Sequence, residues 1–315
     1  MLSAASILLP VFGLIFAGFA CRRLGVLGPA AASELNRFVV WLALPAMLFD
    51  ILAHATWHEL YQPDFVAAFG GACLIIFVGV AAVRLFLGRP LADASIDGLA
   101  AAYPNTGYVG FPLCLLAFGR ASLTPTTIAT ILVVCVLFGI AIVLIEIGLQ
   151  SERRPHRLVI KVVRSLLRNP LLVAPALGAV VSGTHVALPA SVETFLKLLG
   201  GAASPCALVS LGLFLAERRS GKKAAPGESS WWITLTKLVV QPVLTWWLAA
   251  RVFALPEPLV QMAVILAAMP TGTGPYMLAE YYQREAHVTS RTILHSTVGS
   301  LVTITLLLLH LQPAH

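Results

Sequence analysis

The sequence predicts an all-α membrane protein of ten transmembrane helices, arranged as two five-helix repeats of opposite orientation. Three observations lead there. The 315 residues are 58% apolar and only 11% charged, with mean hydropathy +0.88, whereas a soluble domain is about 25% charged. Uncharged apolar runs of roughly 18 or more residues recur along the chain, each long enough to span a bilayer. Lys and Arg concentrate in every second loop, and the two halves repeat one pattern of prolines and glycines. The formal charge of +7 then reads as loop residues on one side of a lipid bilayer, not as a nucleic-acid surface.

Taken in order, the apolar runs predict spans at 3–21, 36–54, 65–85, 98–118, 126–147, 169–184, 195–216, 231–253, 259–281 and 292–311. The first has no charge before Arg22, so it lacks the basic flank of a cleaved signal. The second opens at Asn36 and Arg37 and carries Pro45. Its far end sets Asp50, His54 and His58 on one face, at i, i+4 and i+8. With Trp57 and Tyr61 as interface anchors, that group reads as a helix end entering the headgroups rather than a metal or proton site. The third span ends at Arg84. The fourth is interrupted in "AAYPNTGYVGFPLCLLAF" (Ala101–Phe118), and the fifth ends near Glu146. Gln150–Arg168 is basic and reads as an amphipathic surface helix, with residues 151–168 linking the halves. The sixth span is short. The seventh carries Pro205 and runs into a polar loop, Glu217–Ser230. In the eighth, Lys237 stands just inside one end and Gln241 midway, before Pro242. The ninth is interrupted like the fourth, and the tenth holds His295, Ser296, Thr297 and Ser300 in one half. Cys21, Cys73, Cys114, Cys135 and Cys206 lie in or beside apolar runs without a CxxC spacing, so free, buried thiols are expected.

Loop charges set the orientation. The odd loops hold Arg22, Arg23 and Arg37; Arg84 and Arg89; Arg153, Arg154, Arg157, Lys161, Arg164 and Arg168; Arg218, Arg219, Lys222 and Lys223; and Arg284 and Arg291. The even loops hold only Arg120, Lys197 and Arg251. Both termini are therefore expected outside, with every odd loop in the cytoplasm.

The ninth span, "LAAMPTGTGPYMLAEYY" (Leu266–Tyr282), matches the fourth: both run Ala-Ala-x-Pro-(Asn/Thr), then Gly, then a second Pro. Pro10 and Pro175, Pro45 and Pro205, and Pro104 and Pro270 stand 165, 160 and 166 residues apart. Residues 1–150 (spans 1–5) and 169–315 (spans 6–10) thus read as two copies. Five spans is odd, so the second copy is inverted, as in secondary transporters. Pro104 and Pro270 break their helices. In lipid such a break survives only where protein or a water-filled cavity covers it. Two breaks meeting at mid-depth aim half-helix N-termini, with partial positive charge and open N–H groups, at one point. That makes an anion site with no Lys or Arg in the core. The candidate binding residues are Asn105, Thr106, Gly107, Thr271, Gly272 and Thr273. Gln241 joins them as an intramembrane polar residue, with helix pairing as the alternative.

At "LNRFVVWLALPAMLF", "AAYPNTGYVGFPL", "RNPLLVAPALG" and "AAMPTGTGPYMLAEYY" the chain closely resembles the auxin efflux carrier family. That family includes the plant PIN-FORMED carriers and bacterial permeases associated with malate or malonate. The resemblance implies a fold like that of the bile-acid:sodium symporters and sodium/proton antiporters. A scaffold (spans 1, 2, 6 and 7) would pack on a core (spans 3–5 and 8–10) in which the fourth and ninth helices cross. It also implies a homodimer formed through the scaffold, and the short linker suits a bacterial-type member in the inner membrane. The family's crossover Pro residues fall on Pro104 and Pro270 and its crossover Asn on Asn105. Thr271 stands where plant carriers have Asn, which argues against an auxin-like substrate.

The remaining polar groups divide between function and helix ends. Asp50, Glu146, Glu280 and His295 are candidates for ion binding or coupling, although the acids fall near span ends, where pairing with loop Arg is cheap. Ser and Thr in the tenth span more often bond locally. No HExxH, carboxylate cluster or GxSxG occurs, so no enzyme, metal or cofactor is expected. No Walker motif suggests direct ATP coupling. The sequence therefore points to a carrier of a small organic anion, a mono- or dicarboxylate, working by alternating access. A sodium- or proton-coupled symporter of the same fold is the alternative, and an anion channel a more remote one.

Overall fold

A computed structural model describes residues 4–56, 61–150, 160, 163–164, 166–184, 188–216 and 230–311. Trp57, His58, most of Gln150–Arg168 and nearly all of Glu217–Ser230 lie outside the described residues, and with them the expected surface helix and polar loop.

Among the described residues every regular element is a helix. The first half contains α1 (Ala4–Arg23), α2 (Ala31–Ala53), α3 (Pro63–Phe86), α4 (Leu91–Ala102), α5 (Phe111–Phe118) and α6 (Gly119–Leu149). The second contains α7 (Pro170–Thr184), α8 (Ala190–Gly201), α9 (Ala203–Ala216), α10 (Trp231–Val252), α11 (Glu257–Ala267), α12 (Gly274–Tyr281) and α13 (His287–Leu311). By length and composition six stretches can cross a membrane: α2, α3, α6, Ala190–Ala216, α10 and His287–Leu309.

Two of the closest approaches between helices run through glycine. A Cβ added at Gly18 of α1 would stand 2.1 Å from the Val209 carbonyl oxygen of α9, and one at Gly212 of α9 would stand 2.0 Å from that of Ile15. One added at Gly178 of α7 would stand 2.4 Å from the Phe49 carbonyl oxygen of α2. Small residues admit such backbone contact, which in lipid replaces the missing hydrophobic drive between helices.

Three widened π turns stand directly before a proline: Val39–Ala43 before Pro45, Thr106–Gly110 before Pro112, and Thr236–Val240 before Pro242. A proline ring inside a helix clashes with the carbonyl four residues back and offers that carbonyl no N–H. The extra residue of a π turn moves that carbonyl aside, so the helix continues through the proline.

α4 begins at Leu91, earlier than its apolar run suggested, and every residue from Ala92 to Ala102 is buried. Asp93 and Asp97, which precede the apolar run of 98–118, therefore sit inside the protein. Asp97 accepts from Arg84 Nε of α3 at 2.6 Å, both side chains being nearly inaccessible. Asp93 takes two hydrogen bonds from Arg284, at 2.7 and 2.6 Å, and Arg89 pairs with Glu285 at 3.4 Å. The first pair ties α3 to α4, and the other two tie the start of α4 to the segment after α12. All five cysteines are free, but only Cys73 and Cys114 are buried; Cys21, Cys135 and Cys206 are half-buried, which corrects the expectation for those three.

Candidate functional site

α4 stops at Ala102 because the residue before a proline is pushed out of helical conformation; Tyr103 has φ −103° and ψ 82°. α11 stops at Ala267, just before Pro270. The two extended segments lie antiparallel and bond to each other. Asn105 N–H donates to the Pro270 carbonyl at 2.8 Å, Gly272 N–H donates to that of Tyr103 at 2.9 Å, and Pro104 bridges to Thr271. Several amides expected to face a ligand are thus engaged. Thr106 N–H bonds the Pro104 carbonyl, and Thr271 N–H bonds Ser296 Oγ of α13 at 3.0 Å. The amides of Thr273 and Gly274, at the start of α12, have no hydrogen-bond partner among the described residues.

A cavity of about 170 Å³ opens beside the paired breaks. The first break contributes Tyr103, Pro104, Asn105, Thr106 and Gly107, and the second contributes Gly272, Thr273 and Gly274. Leu44, Met47 and Ile51 of α2 and Ala203 and Ser204 of α9 complete the wall, with Phe111 of α5 and Thr130 and Val134 of α6. An engineered cavity of about 150 Å³ holds benzene, so the space suits a molecule of a few heavy atoms. Thr106 is 1% exposed and its hydroxyl has no partner. A buried polar atom left so is uncommon and here lies in the cavity wall.

Tyr103 is a wall residue that sequence reasoning did not single out. Its ring rests on Gly272 and Gly274, where an added Cβ would come within 2.9 and 2.7 Å of ring carbons. The Gly-x-Gly spacing opposite Tyr-Pro was the available signal. Thr271 turns away from the cavity: its hydroxyl donates to the Ala100 carbonyl at 2.9 Å. Gln241 is fully buried behind the break, with Nε2 donating at 3.3 Å both to the Ala102 carbonyl and to Cys73 Sγ. It holds the end of α4 and is not in the wall.

The expectation of a core without Lys or Arg needs correction. Lys237 is fully buried and its Nζ donates to the Ala267 carbonyl at 2.6 Å. That carbonyl ends α11, where the helix dipole favours a cation. Arg84 is 1% exposed and Asp97 2%, so a buried acid also stands near the first break, five residues before the end of α4.

Asp50, Glu146, Glu280 and His295 are scattered, and none lines the cavity. Asp50 lies beside His54, 3.2 Å from its Nδ1. Glu146 accepts from the Tyr282 hydroxyl at 2.8 Å, and that hydroxyl accepts from Asn169 Nδ2 at 3.2 Å. Glu280 is half-buried near the end of α12. His295 stacks on Trp231 with centroids 4.6 Å apart. Among the described residues no group of three or more His, Cys, Asp or Glu could hold a metal ion.

The sequence pattern of the "Membrane transport protein" family matches residues 4–308. A Rhizobium meliloti (strain 1021) protein, provisionally named a malonate transporter, is 33% identical over 310 residues, 98% of this chain and 96% of that protein. The uncharacterized transporter YfdV of Escherichia coli (strain K12) is 23% identical over 303 residues, 94% of each. Auxin efflux carrier component 8 of Arabidopsis thaliana is 21% identical over 349 residues, 93% of each.

Proposed function

Because the chain belongs to the membrane transport protein family, whose members among its relatives are transporters and not enzymes, we propose that it carries a small organic anion through the cavity at the paired breaks. The observation that carries this reading is the cavity wall itself. Two helix breaks far apart in sequence line one space with Asn105, Thr106, Thr273 and Gly274, and the Thr106 hydroxyl and the Thr273 and Gly274 amides have no partner among the described residues. Donors at a helix start attract a carboxylate. The name of the Rhizobium meliloti relative makes malonate the first substrate to try.

Ten spans in two inverted repeats remain the proposed architecture. The glycine contacts support it, since α1 on α9 and α7 on α2 are the same pairing with the repeats exchanged. Under this reading α1, α2 and α7–α9 form the scaffold, both termini lie outside, and a homodimer forms through the scaffold in a bacterial inner membrane. The rest of the chain moves against that scaffold to give alternating access.

A thermal-shift panel of mono- and dicarboxylates on purified protein tests the reading, with Asn105→Ala as its control. Losing one hydrogen bond to a charged group costs about 1.5–3 kcal/mol, so Asn105→Ala is expected to weaken binding roughly ten- to hundredfold. Equal binding by parent and Asn105→Ala would move the site elsewhere.

A further inference from the structure

A second, wider cavity of about 580 Å³ lies at the end of the protein that carries the sparsely charged loops. It shares Ile51, Phe111 and Thr130 with the smaller cavity at the breaks, so the two are neighbours across those side chains. Toward the opposite end helices meet in two contacts: Asn36 Nδ2 donates to the Met277 carbonyl at 3.4 Å, and Trp41 packs on Tyr281. Of the three cations that run against the loop-charge bias, Arg120 and Lys197 both line the wide cavity. Lys197 is paired with Glu193 at 3.3 Å, and His54 stands between Asp50 and Glu193, at 3.2 and 3.5 Å. Arg120 is exposed and its guanidinium has no ion pair with a described residue. Thr124, Thr127 and Thr130 follow it along α6 and line the same cavity, three residues apart and so on one broad helix face.

From this arrangement we infer that the wide cavity is a capture subsite for organic anions, with Arg120 as its binding cation and the threonine row as the way to the inner cavity. The inference rests on the carrier reading for the identity of the anion, but its electrostatic content does not. With His54 protonated, it and Lys197 balance Asp50 and Glu193 and leave Arg120 as the excess charge, and a cleft with low-dielectric walls concentrates the opposite charge.

The test is Thr127→Cys in right-side-out vesicles, with the unsubstituted chain as background for the native cysteines. Its reaction rate is measured with a sulfonate-bearing and a trimethylammonium-bearing methanethiosulfonate, each normalised to a free thiol in solution. The anionic reagent is expected to be favoured, and Arg120→Ala to lower that preference by roughly tenfold, with Arg120→Lys retaining it. A preference insensitive to Arg120→Ala, or a Thr127→Cys thiol unreachable from outside, overturns the inference. In parallel, radiolabelled malonate flux is measured in both directions. Arg120→Ala is expected to raise the outer KM about three- to fivefold and leave the inner KM unchanged. If the parent moves no organic acid, the carrier reading fails while the reagent ratio still decides the subsite. If the parent moves malonate and the ratio does not respond, the subsite alone fails.

Discussion

Thr106 offers the sharpest separation of binding from folding. Its hydroxyl is buried without a partner, so replacing it by a methyl removes a desolvation penalty rather than a bond. Thr106→Val is therefore expected to melt at the same temperature as the parent or slightly higher, while its affinity for the transported anion falls. Differential scanning fluorimetry with and without ligand reads both. His54 supplies a pH dependence. Its Nδ1 donates to the Asp50 carbonyl at 2.9 Å, which, with the Asp50 and Glu193 carboxylates and against partial burial, holds its pKa above the usual histidine value. A raised pKa means that the protonated form, and its bonds to both carboxylates, are fully present below the ordinary histidine range and are lost as pH rises through the higher value. In the proposed orientation, it is the outer mouth that then loses one positive charge. Outer KM for malonate is expected to rise across that window, and His54→Gln to flatten the profile. Asp50 and His54 were legible from their spacing. Their link to Glu193 was not, because it joins residues 139 positions apart.

At the scale of the element, the helix breaks were legible because Pro and Gly act locally: they fix or free the backbone wherever they stand. Buried charge was less legible. Hydropathy assigns a charged residue near a run's end to the interface, yet Lys237 and Asp97 are held inside by partners on other helices, Ala267 and Arg84. No local pattern announces such partners. The glycines of α1, α7 and α9 fall between these cases. They are visible as small residues, but only packing shows which of them meet a backbone. Gly212→Ala would set a methyl 2.0 Å from the Ile15 carbonyl oxygen, forcing α1 and α9 apart. Overpacking of this kind costs about 1–3 kcal/mol. Thermal unfolding in detergent is expected to shift down accordingly, whereas Gly13→Ala, with nothing within 4 Å, is expected to leave it unchanged.

For the whole molecule the open question is what drives transport. The Lys237 amine already occupies the carbonyl that ends α11, and Asp97 is engaged by Arg84. The acids the sequence offered for coupling stand away from the cavity at the breaks. An anion moving alone would follow its own gradient and the membrane potential, worth about 2.3 kcal/mol per charge per 100 mV. A negative interior favours export. Flux in reconstituted vesicles at clamped potential is therefore expected to persist without sodium and to change with voltage. Loss of flux on sodium removal, at fixed pH and potential, would point to coupling through the carbonyls and hydroxyls of the breaks. The bonds from Asn105 to Pro270 and from Gly272 to Tyr103 also bear on how the chain can diverge. Inserting or deleting a residue in one break slips its register against the other and turns its side chains to the opposite face. The two breaks are therefore bound to drift together in length, so that a lineage gaining a residue beside Pro104 carries a compensating change beside Pro270.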